Sequence, residues 1–77
     1  MNKIDIKTFI KIEGVEYCIS TTWLSETIPL YETMVFEAMN RQIVNYNELS
    51  EYNNQYKNKE AAIQGHYETV RKMLLNS

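Results

Sequence analysis

The chain has no excess of basic residues, no second cysteine and no long apolar run, and each shortage removes a class of function. Eight Lys and Arg stand against ten Asp and Glu, a formal charge of -2. Sequence-independent nucleic-acid binding relies on clustered cations that displace counterions, so direct nucleic-acid binding is not expected. A lone cysteine, Cys18, excludes an internal disulfide, and no paired Cys or His spacing of a zinc site is present. A reducing, cytoplasmic setting is therefore expected. The opening stretch alternates charge with isoleucine, which fits neither a signal peptide nor a membrane span, and no membrane partner is expected. One cysteine, one histidine and one aspartate, scattered over three segments, offer little from which to assemble a triad or metal centre. No catalytic residue, metal or cofactor is assigned, and the chain reads as a non-enzyme.

What is present is the pattern of a small α+β domain. The 77 residues form one domain with a single core and a thin stability margin, so oligomerisation or partner binding is a natural source of support. Ile4, Ile6, Ile10 and Ile12 share one parity and Asp5, Lys7, Lys11 and Glu13 the other, the period of a half-buried strand. Phe9 interrupts the charged parity. Glu13 and Gly14 make a turn, and Val15, Tyr17, Ile19, Thr21 and Trp23 then share a face, giving a hairpin over about residues 3 to 23. Cys18, on the opposite parity with no basic neighbour in sequence, reads as a small packing residue.

Pro29, the only proline, closes a connection, and a strand is expected to start just after it. In that strand Leu30, Met34, Phe36 and Ala38 form the more apolar parity, so they are expected under a helix, with Glu32 at the rim of the core. Tyr31, Thr33 and Glu37 then occupy the uncovered face, a candidate partner surface. Asn40 and Arg41 make a further turn before a weaker fourth strand over Gln42 to Asn47. The expected fold is a three- to four-stranded antiparallel sheet with one C-terminal helix packed on one face.

That helix begins after Asn58, a suitable N-cap, with Glu60 near its positive end and Arg71 and Lys72 near its negative end. Ala62, Ile63, His66, Tyr67, Val70, Met73 and Leu74 form an apolar stripe. Gly65 points away from the stripe's centre, and Ala61, Gly65 and Thr69 make a line of small residues along one flank. A second backbone, from a loop, a partner or a second protomer, could approach there. His66 lies beside it, half on the stripe, as a hydrogen-bonded core-edge residue.

Charge is distributed in blocks of +2 over residues 1 to 12, -6 over 13 to 51 and +2 over 52 to 77. The acidic block runs into a segment rich in Tyr and Asn, residues 45 to 58, whose composition suits adaptable polar contacts and also arises from AT-rich coding DNA. Tyr46, Glu48, Glu51, Tyr52 and Tyr56 are its candidate partner-binding residues. On the first strand, Lys3, Lys7 and Lys11 with Phe9 among them are the alternative, a stacking surface for single-stranded nucleic acid.

Trp23-Leu24, the run Leu30-Tyr31-Glu32-Thr33-Met34-Val35-Phe36, Tyr56, Ala62-Ile63-Gln64-Gly65-His66 and Val70 together resemble a pattern in small uncharacterised proteins encoded by bacteriophages and prophages. The resemblance spans Trp23 to Val70, and Glu-Thr-Met-Val-Phe is its most specific part. It implies a phage context and marks Glu32, Thr33, Gly65 and His66 for a role beyond bulk packing. In that context a small, acidic chain without a catalytic constellation is expected to bind and block a host protein. Anti-CRISPR-type occlusion of a basic, nucleic-acid-binding defence effector is the leading expectation. A minor structural, assembly or regulatory protein that forms a homodimer through the helix flank is the alternative.

Overall fold

The computed structural model describes residues 3–26 and 30–76. Two strands, β1 (Asp5–Ile12) and β2 (Val15–Trp23), form the expected hairpin, with Ile12 opposite Val15 and Asp5 opposite Thr22. Glu13 and Gly14 turn the chain with φ of 49° and 84°; both lie in the left-handed region that a two-residue hairpin needs. The long strand β3 (Tyr31–Met39) runs antiparallel to β2, with Thr21 opposite Thr33 and Ile19 opposite Val35. Asn40 and Arg41, at φ 53° and 62°, make a second tight turn into the short β4 (Gln42–Asn45), which pairs with the end of β3 through a bulge at Glu37 and Ala38. β3 begins at Tyr31, just after Pro29 as expected, while Pro29 itself falls outside the described residues.

A fifth strand was not foreseen. β5 (Asn54–Tyr56) pairs with the start of β3, along the same side that β4 occupies further on. Between them residues 46–53 leave the sheet and include a 3-10 turn, Ser50–Tyr52. The Leu49 amide donates to the Val35 carbonyl at 2.9 Å, which supplies the ladder bond that the excursion would otherwise leave open. The sheet is curled as a half-barrel and carries one helix, α1 (Lys59–Leu75), an α+β fold. Asn58 caps the helix as expected, its side-chain oxygen accepting from the Ala61 amide at 2.8 Å.

The helix covers the face of the sheet opposite to the one assigned from β3. Residues paired across antiparallel strands point to one side, so Thr8, Ile19, Thr21, Thr33 and Val35 share a face, and His66 of α1 bonds to Thr8 and Thr21. Tyr31 and Thr33 are therefore buried under the helix, at 1% and 0% exposure, instead of displayed. Counting apolar residues along β3 misleads because both faces are closed. On the helix-free face Phe9, Cys18 and Phe36 stand side by side in register, the Arg41 guanidinium lies over Phe9 at 5.1 Å, and the Tyr46 ring meets Phe36 at 5.5 Å. Cys18 is fully buried in this second, smaller apolar layer, and burial pushes its thiol pKa up.

The helix is also rotated relative to the stripe read from its sequence. Its buried residues are Ala62, Gly65, His66, Thr69 and Met73, while Tyr67 and Leu74 are exposed. Beneath it Ile19, Val35 and Met73 form the centre of the core, flanked by Ile10, Ile12, Tyr17, Leu49, Tyr52 and Val70. Polar Thr69 belongs to the inner face because its hydroxyl donates to the Gly65 carbonyl one turn back, at 2.8 Å, and so enters the interior satisfied.

Candidate functional site

Three strands and the helix meet at one buried polar cluster. His66 Nε2 lies 2.8 Å from the Thr8 hydroxyl, His66 Nδ1 lies 2.7 Å from the Thr21 hydroxyl, and Thr21 in turn bonds to Thr33. His66, Thr21 and Thr33 are wholly inaccessible to solvent. A neutral imidazole has one N–H to give and one lone pair to receive, and threonine hydroxyls do either, so the chain is satisfied without any charge. Burial accordingly holds the His66 pKa below its ordinary value. The cluster ties α1 to three strands of the sheet, with Thr8, only partly buried, at its outer end.

Gly65 has the same structural standing. Tyr56 of β5 lays its phenol ring against the helix at this position, where a Cβ would overlap the ring. The close approach expected from the small-residue flank is real, but the approaching group is the chain's own tyrosine, and Gly65 is buried. Neither Gly65 nor His66 offers a surface to a partner, and the homodimer contact expected on this flank is filled from within.

The remaining candidates divide by exposure. Tyr52 is half-buried in the core and Tyr56 half-buried on Gly65, so both are supports of the segment rather than free anchors. Glu32 is half-buried and accepts from the Gln55 amide at 3.2 Å, a bond across the β3–β5 pair. Tyr46, at 72% exposure, stands free of the surface except for its edge on Phe36. Glu37, Glu48 and Glu51 are exposed, and Glu48 accepts from the Asn53 side chain at 3.2 Å, which braces the excursion. The exposed subset therefore lies on β3 and the 46–53 excursion, with exposed Met39 and Val44 close by at the β3–β4 hairpin.

Along the first strand Lys3, Lys7 and Phe9 of the candidate stacking surface already have partners within the chain. Lys7 pairs with Asp5 at 2.7 Å, Lys3 lies 4.6 Å over the Trp23 ring, and Phe9 is covered by Arg41. A base would have to displace Arg41 to stack on Phe9. Among the described residues no three His, Cys, Asp or Glu side chains gather where a metal could bind, and no helix is long and apolar enough to cross a membrane.

Thr8 and Thr21 were the residues that sequence reading passed over. Their one signal is position: Thr8 sits on the isoleucine parity of β1, between Ile6 and Ile10, and a hydroxyl on a core parity needs a buried partner. Nothing in the linear pattern names His66 as that partner. No family model matches the chain, and neither the curated proteins nor the solved structures contain a significant match.

Proposed function

We propose that this chain is a phage-encoded accessory protein that works by stoichiometric protein binding, as an inhibitor that occludes a nucleic-acid-binding effector of a host defence system. The observation that carries the reading is the excursion between β4 and β5. It holds Tyr46, Glu48 and Glu51 out to solvent on a backbone that Leu49 pins to Val35. A tyrosine offers large amphipathic area at low entropic cost, and carboxylates beside it steer approach to a basic surface. Pinning the backbone lowers the ordering cost of binding, which a free loop would have to meet.

The test is direct. The protein is mixed with candidate effectors and complexes are sought by size-exclusion chromatography, with Tyr46→Ala and Glu48→Lys as variants. A complex weakened by about tenfold or more in Tyr46→Ala supports the reading, in line with the usual weight of an aromatic anchor. A complex indifferent to both substitutions counts against it.

The alternative, a self-associating assembly or regulatory protein, now has to use a surface other than the Gly65 flank. The outer edge of β1 carries no paired strand among the described residues, although lysines along an edge discourage pairing. Sedimentation equilibrium separates the two: a monomer at micromolar concentration argues for the inhibitor, and a dimer for the alternative.

A further inference from the structure

The outer side of β1 is an open edge of the sheet. The Trp23 amide donates to the Ile4 carbonyl at 3.1 Å, so the even residues along β1 direct their backbone groups to β2. Alternation then turns the amides and carbonyls of Asp5, Lys7, Phe9 and Lys11 outward, where no strand pairs with them among the described residues. Beside this edge α1 presents an apolar flank. His66 reaches Thr8 of β1 on one side of the helix and Gly65 meets Tyr56 of β5 on the other, so Ile63, Tyr67, Val70 and Leu74, which recur at helical spacing just past His66, lie on the β1 side. Ile63 and Val70 are half-buried, while Tyr67 and Leu74 are 54% and 49% exposed. Half-buried Ile6 and Ile10 of β1 point to the same face. An unpaired ladder next to an apolar helix flank is the geometry that accepts one more strand.

The charge pattern of β1 selects that strand. In an antiparallel ladder outward-bonding residues pair with outward-bonding residues, so two copies of β1 related by a two-fold axis meet only in registers that differ by two residues. With Thr8 on the axis, Asp5 faces the second copy's Lys11, Lys11 faces its Asp5 and Lys7 faces its uncharged Phe9, while on the helix side Ile6 faces Ile10. This register covers nearly the whole strand and joins opposite charges at both ends. Moving the axis to residue 7 sets Lys7 against Lys7 and Lys3 against Lys11. Moving it to residue 9 sets Lys7 against Lys11 and Asp5 against Glu13. Lysines along an edge repel most strands, and here they leave one near-full-length register in which no lysine has a cation opposite.

We infer that a second copy of this chain docks along β1, extending the sheet across a two-fold axis at Thr8 and bringing the two α1 flanks together through Tyr67 and Leu74. This pairing lies beyond the proposed function. The excursion that carries Tyr46, Glu48 and Glu51 joins β4 to β5, on the far side of the sheet from β1, and stays free in both copies. One strand and one helix flank per copy make a small interface, of the weak and transient class. The chain is therefore monomeric at micromolar concentration, and the pair forms towards millimolar concentration or where one partner holds two copies side by side.

The test is sedimentation equilibrium of the full chain from micromolar to millimolar concentration, with backbone amide shifts followed over the same dilution. Concentration-dependent shifts are expected at Lys7, Phe9 and Tyr67. Asp5→Lys sets a lysine opposite each Lys11 and is expected to weaken the dimer about tenfold, since two cross-strand pairs change from attraction to repulsion. Asp5→Lys/Lys11→Asp reverses both charges, restores the complementarity and is expected to bring the dimer back to within about threefold of the native chain. That recovery separates a broken interface from a broken fold. A monomer throughout the range, a dimer that Asp5→Lys leaves intact, a double variant as weak as the single one, or shifts confined to the β3–β4 hairpin would each overturn the inference. Failure here is separable from failure of the occlusion reading. Tyr46→Ala should leave the pairing unchanged, and Asp5→Lys should leave a one-to-one effector complex unchanged.

Discussion

The phenol ring of Tyr56 rests directly on Gly65, in the space that a side chain at position 65 would fill. The contact joins β5, a strand of three residues, to the helix, and it explains a glycine that helix propensity alone disfavours by about 1 kcal/mol.

Replacing that glycine sets two effects against each other. Alanine gains about 1 kcal/mol of helix propensity, but it expels the Tyr56 ring, and overpacking typically costs about 1–3 kcal/mol. Gly65→Ala is expected to destabilise the native chain by about 1 kcal/mol and to stabilise a Tyr56→Ala background by a similar amount. Urea unfolding of the four members of this double-mutant cycle measures the reversal in sign. Equal effects in both backgrounds would show that the ring does not constrain the position.

The threonines that bond to His66 are predicted to be unequal. Thr21 joins His66 to Thr33, so Thr21→Val leaves a buried imidazole nitrogen and a buried hydroxyl without their partner, at a cost of about 2–3 kcal/mol. Thr33→Val removes only the end of the chain, and about 1 kcal/mol is expected. Thr8→Val should cost least, because Thr8 is only partly buried and water can reach the vacated nitrogen. Unfolding midpoints at constant m-value provide the order.

Acidification should act through His66. Burial holds its pKa below the ordinary 6.5, so between the two values the unfolded chain binds a proton that the folded chain refuses. Stability is complete above 6.5 and declines as the pH falls towards the folded-state value, by at most about 1.4 kcal/mol per pH unit. Between pH 6.5 and about 5 ordinary carboxylates do not yet titrate, so the slope in that window belongs to the histidine. Unfolding free energies across this window should lose their slope in His66→Gln, which is less stable at neutral pH but has nothing to protonate. A slope that persists in that variant would assign the effect elsewhere.

The helix start offers a prediction with a single cause. Asn58 accepts from the Ala61 amide, and Asn58→Ala should cost about 1 kcal/mol, while Asn58→Ser or Asn58→Asp should keep most of the stability. Thermal unfolding followed by circular dichroism is sufficient to rank the three.

Much of the fold was legible because it is written locally. The turns at Glu13–Gly14 and Asn40–Arg41 follow from a hairpin's need for positive φ, the β1–β2 pairing follows from period-two alternation, and the helix start follows from Asn58. β5 escaped notice because three residues, Asn-Gln-Tyr, carry no periodic signal; their strand conformation is imposed by the open edge of β3. The exposed candidates Tyr46, Glu37, Glu48 and Glu51 were readable from residue type, whereas Tyr31, Thr33 and Gly65 were assigned to a surface and lie in the interior; His66, expected as a hydrogen-bonded core-edge residue, is hydrogen-bonded but wholly buried.

By itself, then, the sequence determined the α+β class, the two tight turns, the helix and the acidic, tyrosine-rich character of residues 45–58. Only the tertiary structure decided which face of β3 lies under the helix. The reason is that β3 is closed on both sides: its even residues meet the Phe9, Cys18 and Phe36 layer, and its odd residues meet Thr21, Ile19 and the helix. Alternation says that the two faces differ, and the pairing register with β2, a long-range property, says which one the helix takes. The same long-range choice turned Gly65 and His66 from a candidate interface into the seam that holds helix and sheet together.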